Sequence, residues 1–99
     1  ICSWMQSVES RHEVEEHYEV GSVIGKGNFS SVHLAYRKLD GVRCALKQVE
    51  KKALRGKCFF VENEVEVLSL ISHPNVITIY DAFSSENRYF LVFEHAQVI

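Results

Sequence analysis

The chain has 99 residues, of which 46% are hydrophobic, and it carries a formal net charge of −2. This composition is typical of one small folded domain or of a part of a larger one, and it is too apolar for a disordered segment. The weak negative charge excludes an electrostatic basis for nucleic acid or a membrane as the main partner, and no apolar run approaches the roughly 20 residues that span a bilayer.

The N-terminal half predicts a polar leader followed by three strands. Residues 1–17 are polar and acidic towards their end, and we expect them to be flexible, with one helical turn at most. Two strand-like runs follow, YEVGSVIG (18–25) and SSVHLAYR (30–37), and the turn sequence KGNF separates them. Asp40-Gly41 then predicts a hairpin that leads into a third strand, VRCALKQV (42–49).

The C-terminal half predicts one helix and two further strands. In VENEVEVLSLIS (61–72) the apolar residues recur at helical spacing, and HPN (73–75) ends the helix because proline cannot continue it. VITIYDAF (76–83) and RYFLVF (88–93) are the last two strands. The expected fold class is therefore α+β, a five-stranded antiparallel sheet with one packed helix.

A helical wheel places one acidic side chain among the apolar ones. At about 100° per residue from Val61, Glu64 lies near −60°, inside the apolar arc of the helix. Glu62 and Glu66 lie at about 100° and 140°, towards solvent. A carboxylate on a buried face is costly unless it is paired, so we expect Glu64 to have a cationic partner.

Lys47 is the expected partner of Glu64. Side chains alternate along a strand, so Lys47 shares a face with Ala45 inside the apolar run CALKQV. Taken alone, each residue could equally lie in water, Lys47 on a half-exposed strand and Glu64 at the edge of the helix. Taken together, downstream of a glycine-rich turn, they favour an ion pair between the third strand and the helix.

The cysteines and histidines predict no metal site. Cys2, Cys44 and Cys58 are an odd number without a C-x-x-C pair, and the five histidines show no ligand spacing. This cysteine usage favours a reducing compartment, so we expect a soluble, cytoplasmic protein. Because the sequence begins with Ile and shows no signal segment, we expect a fragment or an excised domain.

Four motifs in this order resemble the N-terminal lobe of a protein kinase. The glycine-rich loop G-x-G-x-x-G-x-V is similar to GKGNFSSV (25–32), with Ser30 in place of the third glycine, and the strand motif V-A-I-K is similar to CALK, which ends at Lys47. The helix glutamate of the family corresponds to Glu64, and YFLVFEHA resembles the last strand running into the hinge. The local sequence is most similar to that of the calcium/calmodulin-dependent kinase group, doublecortin-like kinases in particular.

The resemblance implies an ATP site and assigns residues to it. Lys47 and Glu64 are the expected catalytic residues, because in this family the lysine holds the nucleotide phosphates and the glutamate positions the lysine. Phe93 is the expected gatekeeper, and Glu94 and Ala96 are expected to offer backbone groups to adenine. The full set expected to bind ATP is Ile24, Gly25, Lys26, Gly27, Asn28, Phe29, Ser30, Val32, Ala45, Lys47, Phe93, Glu94 and Ala96.

The resemblance also implies that this chain contains only part of what kinase activity requires. Residues 18–99 are expected to be a kinase N-terminal lobe truncated just after the hinge, without the H-R-D-x-x-x-x-N catalytic loop or D-F-G. The missing C-terminal lobe, magnesium and the protein substrate would belong to the full-length Ser/Thr kinase, and calmodulin or other regulators are candidate partners. This chain alone is expected to be inactive.

Two other functions stay open at this point. One is a naturally short, non-catalytic form that acts as a regulatory or decoy binding module. The other is an unrelated small α+β interaction domain with a glycine-rich hairpin.

Overall fold

A computed structural model describes residues 4–28, 30–70 and 77–95, with the backbone alone for 66–70. In chain order the elements are β1 (Gln6–Ser7), α1 (Arg11–Glu15), β2 (Tyr18–Lys26), β3 (Ser30–Arg37), β4 (Arg43–Glu50), a 3₁₀ helix (Lys51–Leu54), α2 (Cys58–Leu70), β5 (Ile79–Ser84) and β6 (Arg88–Glu94). The strands form one sheet in the order β1-β5-β6-β4-β3-β2. Within the described ranges no helix has the length and apolar character needed to cross a bilayer.

The sheet contains one strand more than the five that the sequence predicts, and it is not wholly antiparallel. β1 pairs in parallel with β5, with Gln6 opposite Phe83 and Ser7 opposite Ser84. The other four strand pairs are antiparallel, as expected. The prediction of a purely antiparallel, five-stranded sheet is therefore wrong. A two-residue polar strand has no hydrophobic alternation through which a sequence pattern could reveal it.

The polar leader reaches the core through α1. Ser10 caps this helix, because its hydroxyl accepts a hydrogen bond of 3.2 Å from the His12 N–H. Val14 is fully buried and lies in one apolar cluster with Tyr18 and Leu46. A single valine in an otherwise polar stretch thus attaches α1 to the sheet.

Both faces of the central strand β6 are covered. Its side chains alternate, so Phe90 and Val92 belong to the cluster that contains Val14, whereas Tyr89 and Leu91 pack with Val65 of α2. The run YFLVF is continuously apolar, as is typical of a strand buried on both sides. We call the face that carries Tyr89 and Leu91 the α2 face.

The β3–β4 hairpin forms at the predicted Asp40-Gly41 sequence. Gly41 has a φ of 73°, a left-handed conformation that glycine adopts without a steric cost, and its N–H donates to the Arg37 carbonyl at 2.7 Å. The Arg37 guanidinium donates to both Asp40 carboxylate oxygens, at 3.0 and 2.8 Å. Its hydrogen bonds hold the pKa of the Asp40 carboxyl below its usual value.

The starts of two elements differ from the prediction by three residues each. α2 begins at Cys58 instead of Val61, after Arg55 and Gly56 turn the chain through positive φ angles of 50° and 80°. Strand β5 begins at Ile79, and the preceding Ile77 is 62% exposed. The predicted helix end at 72 and the predicted strand start at 76 lie outside the described residues.

We expect Val14→Ala to lower the free energy of unfolding by about 2 kcal/mol, because it removes two buried methyl groups and leaves a cavity under α1. Leu39→Ala is the control, because Leu39 is 90% exposed, and its effect should stay within about 0.5 kcal/mol. Urea unfolding of both variants measures the difference. Equal stabilities would contradict a structural role for the leader.

Candidate functional site

Four of the predicted site residues lie in two neighbouring rows of the sheet. Val32 is opposite Lys47 in one row, and Ala45 is opposite Phe93 in the other. Ala45 and Lys47 are two residues apart on β4, so the rows lie on the same face, about 7 Å apart. Because Lys47 is opposite Leu91 on its other side, this is the α2 face.

The predicted glycine-rich loop forms the end of the β2–β3 hairpin. Gly25 pairs with Val32, and the Gly27 N–H donates to the Ser30 carbonyl at 2.8 Å. Phe29 lies outside the described residues. The remaining predicted loop residues are exposed: Ile24, Lys26 and Asn28.

The fold does not require a glycine at position 25. The φ of Gly25 is not positive, and a Cβ there would lie 3.6 Å from the Val32 Cβ, an ordinary van der Waals contact. At Gly21, in contrast, a Cβ would lie 3.2 Å from the backbone oxygen of Leu34. Gly21 therefore serves strand packing, whereas Gly25 leaves its backbone open to close approach by a ligand.

The end of β6 is tied to its neighbours on two sides. The Glu94 N–H donates to the Thr78 carbonyl at 2.8 Å, and the Glu94 carboxylate accepts from the Thr78 N–H at 2.9 Å. Any backbone contact from Glu94 to a ligand therefore falls to its carbonyl oxygen. The Arg43 Nε donates to His95 Nδ1 at 2.9 Å, which holds the residue after the strand. The predicted Ala96 lies outside the described residues.

The structure does not bring Lys47 and Glu64 together. Lys47 is half-buried and forms no ion pair with any residue whose side chain is described, and Glu64 is exposed. Among the α2 residues whose side chains are described, the acidic residue that meets the sheet is Glu62, which accepts a hydrogen bond of 2.5 Å from the Tyr89 hydroxyl. The expected orientation, with Glu64 inward and Glu62 outward, is thus not the one observed. The catalytic roles assigned to Lys47 and Glu64 stay predictions.

The difference between the expected and the observed orientation of α2 follows from the residue at which the helix begins. α2 packs on the sheet through Cys58, Val61 and Val65, which lie at about +60°, 0° and +40° on the helical wheel. The centre of this arc is about 70° from Glu62 and about 90° from Glu64. A helix predicted to start at Val61 omits Cys58, and its apolar arc is displaced towards Glu64.

Tyr89 lies at the centre of a half-buried polar cluster that the sequence pattern did not reveal. Its side chain is 1% exposed, and burial together with the hydrogen bond to Glu62 raises the pKa of its hydroxyl. The Lys51 Nζ lies 4.6 Å from the ring centroid and donates to the Ser84 Oγ at 2.7 Å and the Ser85 carbonyl at 2.6 Å. The available signal was a hydroxyl inside an apolar strand, since a buried tyrosine needs a polar partner.

The hairpin end also borders a cavity on the opposite face of the sheet. This cavity has a volume of about 400 Å³, and His33 and Gln48 are in its wall. These two residues alternate with Val32 and Lys47 along their strands, so the cavity lies across the sheet from Lys47. It is a separate feature from the face that collects the predicted site residues.

Comparisons with known proteins identify relatives over most of the chain. A family model described as the protein kinase domain matches residues 18–98. The chain is 33% identical over 85 residues to Serine/threonine-protein kinase DCLK3 of Mus musculus, covering 86% of this chain and 11% of that protein. It is 42% identical over 82 residues to Calcium/calmodulin-dependent protein kinase type 1B of Rattus norvegicus, covering 83% of this chain and 24% of that protein. The chain therefore spans only a small part of the length of these relatives.

We expect Gly25→Ala to leave the free energy of unfolding within about 0.5 kcal/mol of the unsubstituted chain, because the new methyl group meets only an ordinary contact. Gly21→Ala is the matched change on the same strand, and it should destabilise by about 1 kcal/mol or more, because its methyl group crowds a backbone oxygen. Urea unfolding measures both. A larger loss for Gly25→Ala than for Gly21→Ala would show that Gly25 serves the turn itself.

Proposed function

This chain belongs to the protein kinase family, and we propose that its residues 18–99 form the ATP-binding lobe of a serine/threonine protein kinase. The family match covers residues 18–98 and excludes an unrelated interaction domain. The observation that carries the proposal is one row of the sheet, in which Gly25, Val32 and Lys47 are successive partners on three strands. An accessible backbone, an apolar side chain and a cation thus lie side by side.

In this proposal, the phosphate groups of ATP bind between the hairpin end and Lys47. Gly25 lacks a Cβ where the fold has room for one, so its backbone can approach phosphate oxygens closely. Lys47 is half-buried and unpaired with respect to the described side chains, so its ammonium group is available to an anion. A hydrogen bond from a cation to a phosphate oxygen is stronger than one between neutral groups.

The adenine ring would then lie against the second row. Ala45 and Phe93 form this row, and Val32 of the first row lies on the same face, so these apolar side chains can pack against one side of a flat base. The carbonyl of Glu94 would accept a hydrogen bond from the base, since its N–H is already used by Thr78. Ala96 would supply the second backbone contact.

The whole protein would transfer the γ-phosphoryl group of ATP to a serine or threonine hydroxyl of a protein substrate. Glu64 would position Lys47 in the active arrangement. Magnesium and the substrate would be held by the remainder of the kinase domain, because the 99 residues contain neither H-R-D nor D-F-G. The names of some relatives include calmodulin, which makes calmodulin a candidate regulator. The cysteine usage makes the cytoplasm a candidate location.

Titration of the isotopically labelled chain with ATP, followed by NMR, tests the site. We expect binding no tighter than millimolar, or about 4 kcal/mol, because one lobe supplies only part of a kinase nucleotide site. The shift changes should cluster at the hairpin end, at Ala45 and Lys47, and at Glu94. Changes spread evenly over the surface, or none in a folded sample at high ATP concentration, would contradict the proposal.

Lys47→Ala should weaken ATP binding about tenfold, the expected loss of one charge-assisted hydrogen bond. Lys38→Ala is the control, because Lys38 is an exposed lysine in the β3–β4 turn. The same titration compares the two variants. Equal weakening by both would indicate a non-specific effect of net charge and would remove Lys47 from the site.

The 99-residue chain should show no phosphotransferase activity by itself. Phosphoryl transfer depends on positioning the acceptor and on charge stabilisation at the metal, and the motifs that supply both are absent from this sequence. The assay uses the purified chain with ATP, magnesium and a generic protein substrate. Turnover that persists after contaminating kinases are removed would contradict this prediction.

A further inference from the structure

The orientation of α2 depends on a polar contact inside an apolar interface. Val61 and Val65 pack on the α2 face of the sheet, and next to them Glu62 accepts the 2.5 Å hydrogen bond from Tyr89. Apolar contacts are non-directional, so the two valines alone permit a range of helix rotations. A hydrogen bond to a carboxylate is directional and strong, so the Tyr89–Glu62 contact selects one rotation within that range.

The tyrosine that makes this contact is itself fixed. Its side chain is 1% exposed, and the Lys51 ammonium lies 4.6 Å from the ring centroid. Lys51 is in turn held by Ser84 and by the Ser85 carbonyl, at 2.7 and 2.6 Å. The hydroxyl of Tyr89 therefore occupies a defined position on the sheet, and the helix must turn to meet it.

Glu62 and Glu64 cannot both face the sheet. They are two residues apart on one helix, which separates their side chains by about 160° around the axis. While Glu62 contacts Tyr89, Glu64 is exposed. Lys47 lies on the α2 face together with Tyr89. Val49 is opposite Tyr89, and Lys47 is two residues before Val49 on β4, so Lys47 and Val49 are about 7 Å apart on the same face.

We propose that Tyr89 and Glu62 are positioning residues whose hydrogen bond latches α2 in the orientation that keeps Glu64 away from Lys47. Releasing this latch lets the helix turn and allows the Lys47–Glu64 ion pair to form. The functional meaning of that pair rests on the proposed function, since it is there that Lys47 contacts ATP. The latch itself is a property of the fold and can be tested without nucleotide.

Carbodiimide cross-linking of the full 99-residue chain is the first measurement. The reagent joins an amine directly to a carboxylate in contact with it, so mass spectrometry of the peptides reports the fraction of chains with Lys47 against Glu64. Tyr89→Phe removes the donor of the latch hydrogen bond, and Glu62→Ala removes its acceptor. Both should raise the Lys47–Glu64 cross-link about tenfold, the population shift expected when a hydrogen bond to a charged group is lost.

Two control variants make the result specific. Tyr36→Phe removes a hydroxyl from a tyrosine on β3 that is 39% exposed, and it should leave the cross-link unchanged. Adding Glu64→Gln to Tyr89→Phe should abolish the new cross-link, because the reactive carboxylate is gone. If Tyr89→Phe does not fold, Glu62→Ala alone decides, since it changes a half-buried side chain near the helix start.

The latch is overturned if neither Tyr89→Phe nor Glu62→Ala raises the cross-link, or if Tyr36→Phe raises it equally. ATP titration of the same variants separates this outcome from a failure of the proposed function. Where both proposals hold, releasing the latch raises the affinity for ATP severalfold, and Glu64→Gln reverses the gain. A raised cross-link in a chain that binds no ATP would support the latch and contradict the ATP site.

Discussion

The strand β6 is the constraint on which the rest of the structure depends, because both of its faces must be covered. Phe90 and Val92 require one layer, and Tyr89 and Leu91 require another. The leader helix α1 supplies Val14 to the first layer, and α2 supplies Val65 to the second. The alternation of side chains along a single apolar strand thus determines where both helices pack.

The same alternation assembles the candidate site. Lys47 and Ala45 lie on the face that α2 covers, in register with Val32 and Phe93. A half-buried lysine therefore lies beside apolar residues and in the same row as Gly25 at the hairpin end. The fold leaves room at Gly25 for a side chain that glycine lacks. The chain belongs to the protein kinase family, and our proposal places a nucleotide here, with the phosphates at the cation and the base against the apolar row.

A conflict between polar groups determines how α2 sits on this face. Among the described side chains, this face offers the Tyr89 hydroxyl and the Lys47 ammonium to the helix, and the acidic residues of α2 are Glu62 and Glu64. Because the two glutamates point in different directions, the helix satisfies one group at a time. In this structure Glu62 meets Tyr89, whose side chain is almost fully buried and whose hydroxyl therefore needs a polar partner.

The sequence by itself determined the features that depend on near neighbours in the chain. The alternation of YFLVF and CALKQV, the Asp40-Gly41 turn and the order of the four motifs were sufficient to predict five strands, one helix, the family and the face that carries Lys47. Only the tertiary structure decided the sixth strand and the rotation of α2. Each depends on a pairing between distant positions, Gln6 with Phe83 and Glu62 with Tyr89. The spacing of apolar residues predicts which side of a helix faces the core, but only approximately. It contains no information about the buried Tyr89 hydroxyl, which lies on another element and selects one rotation of the helix.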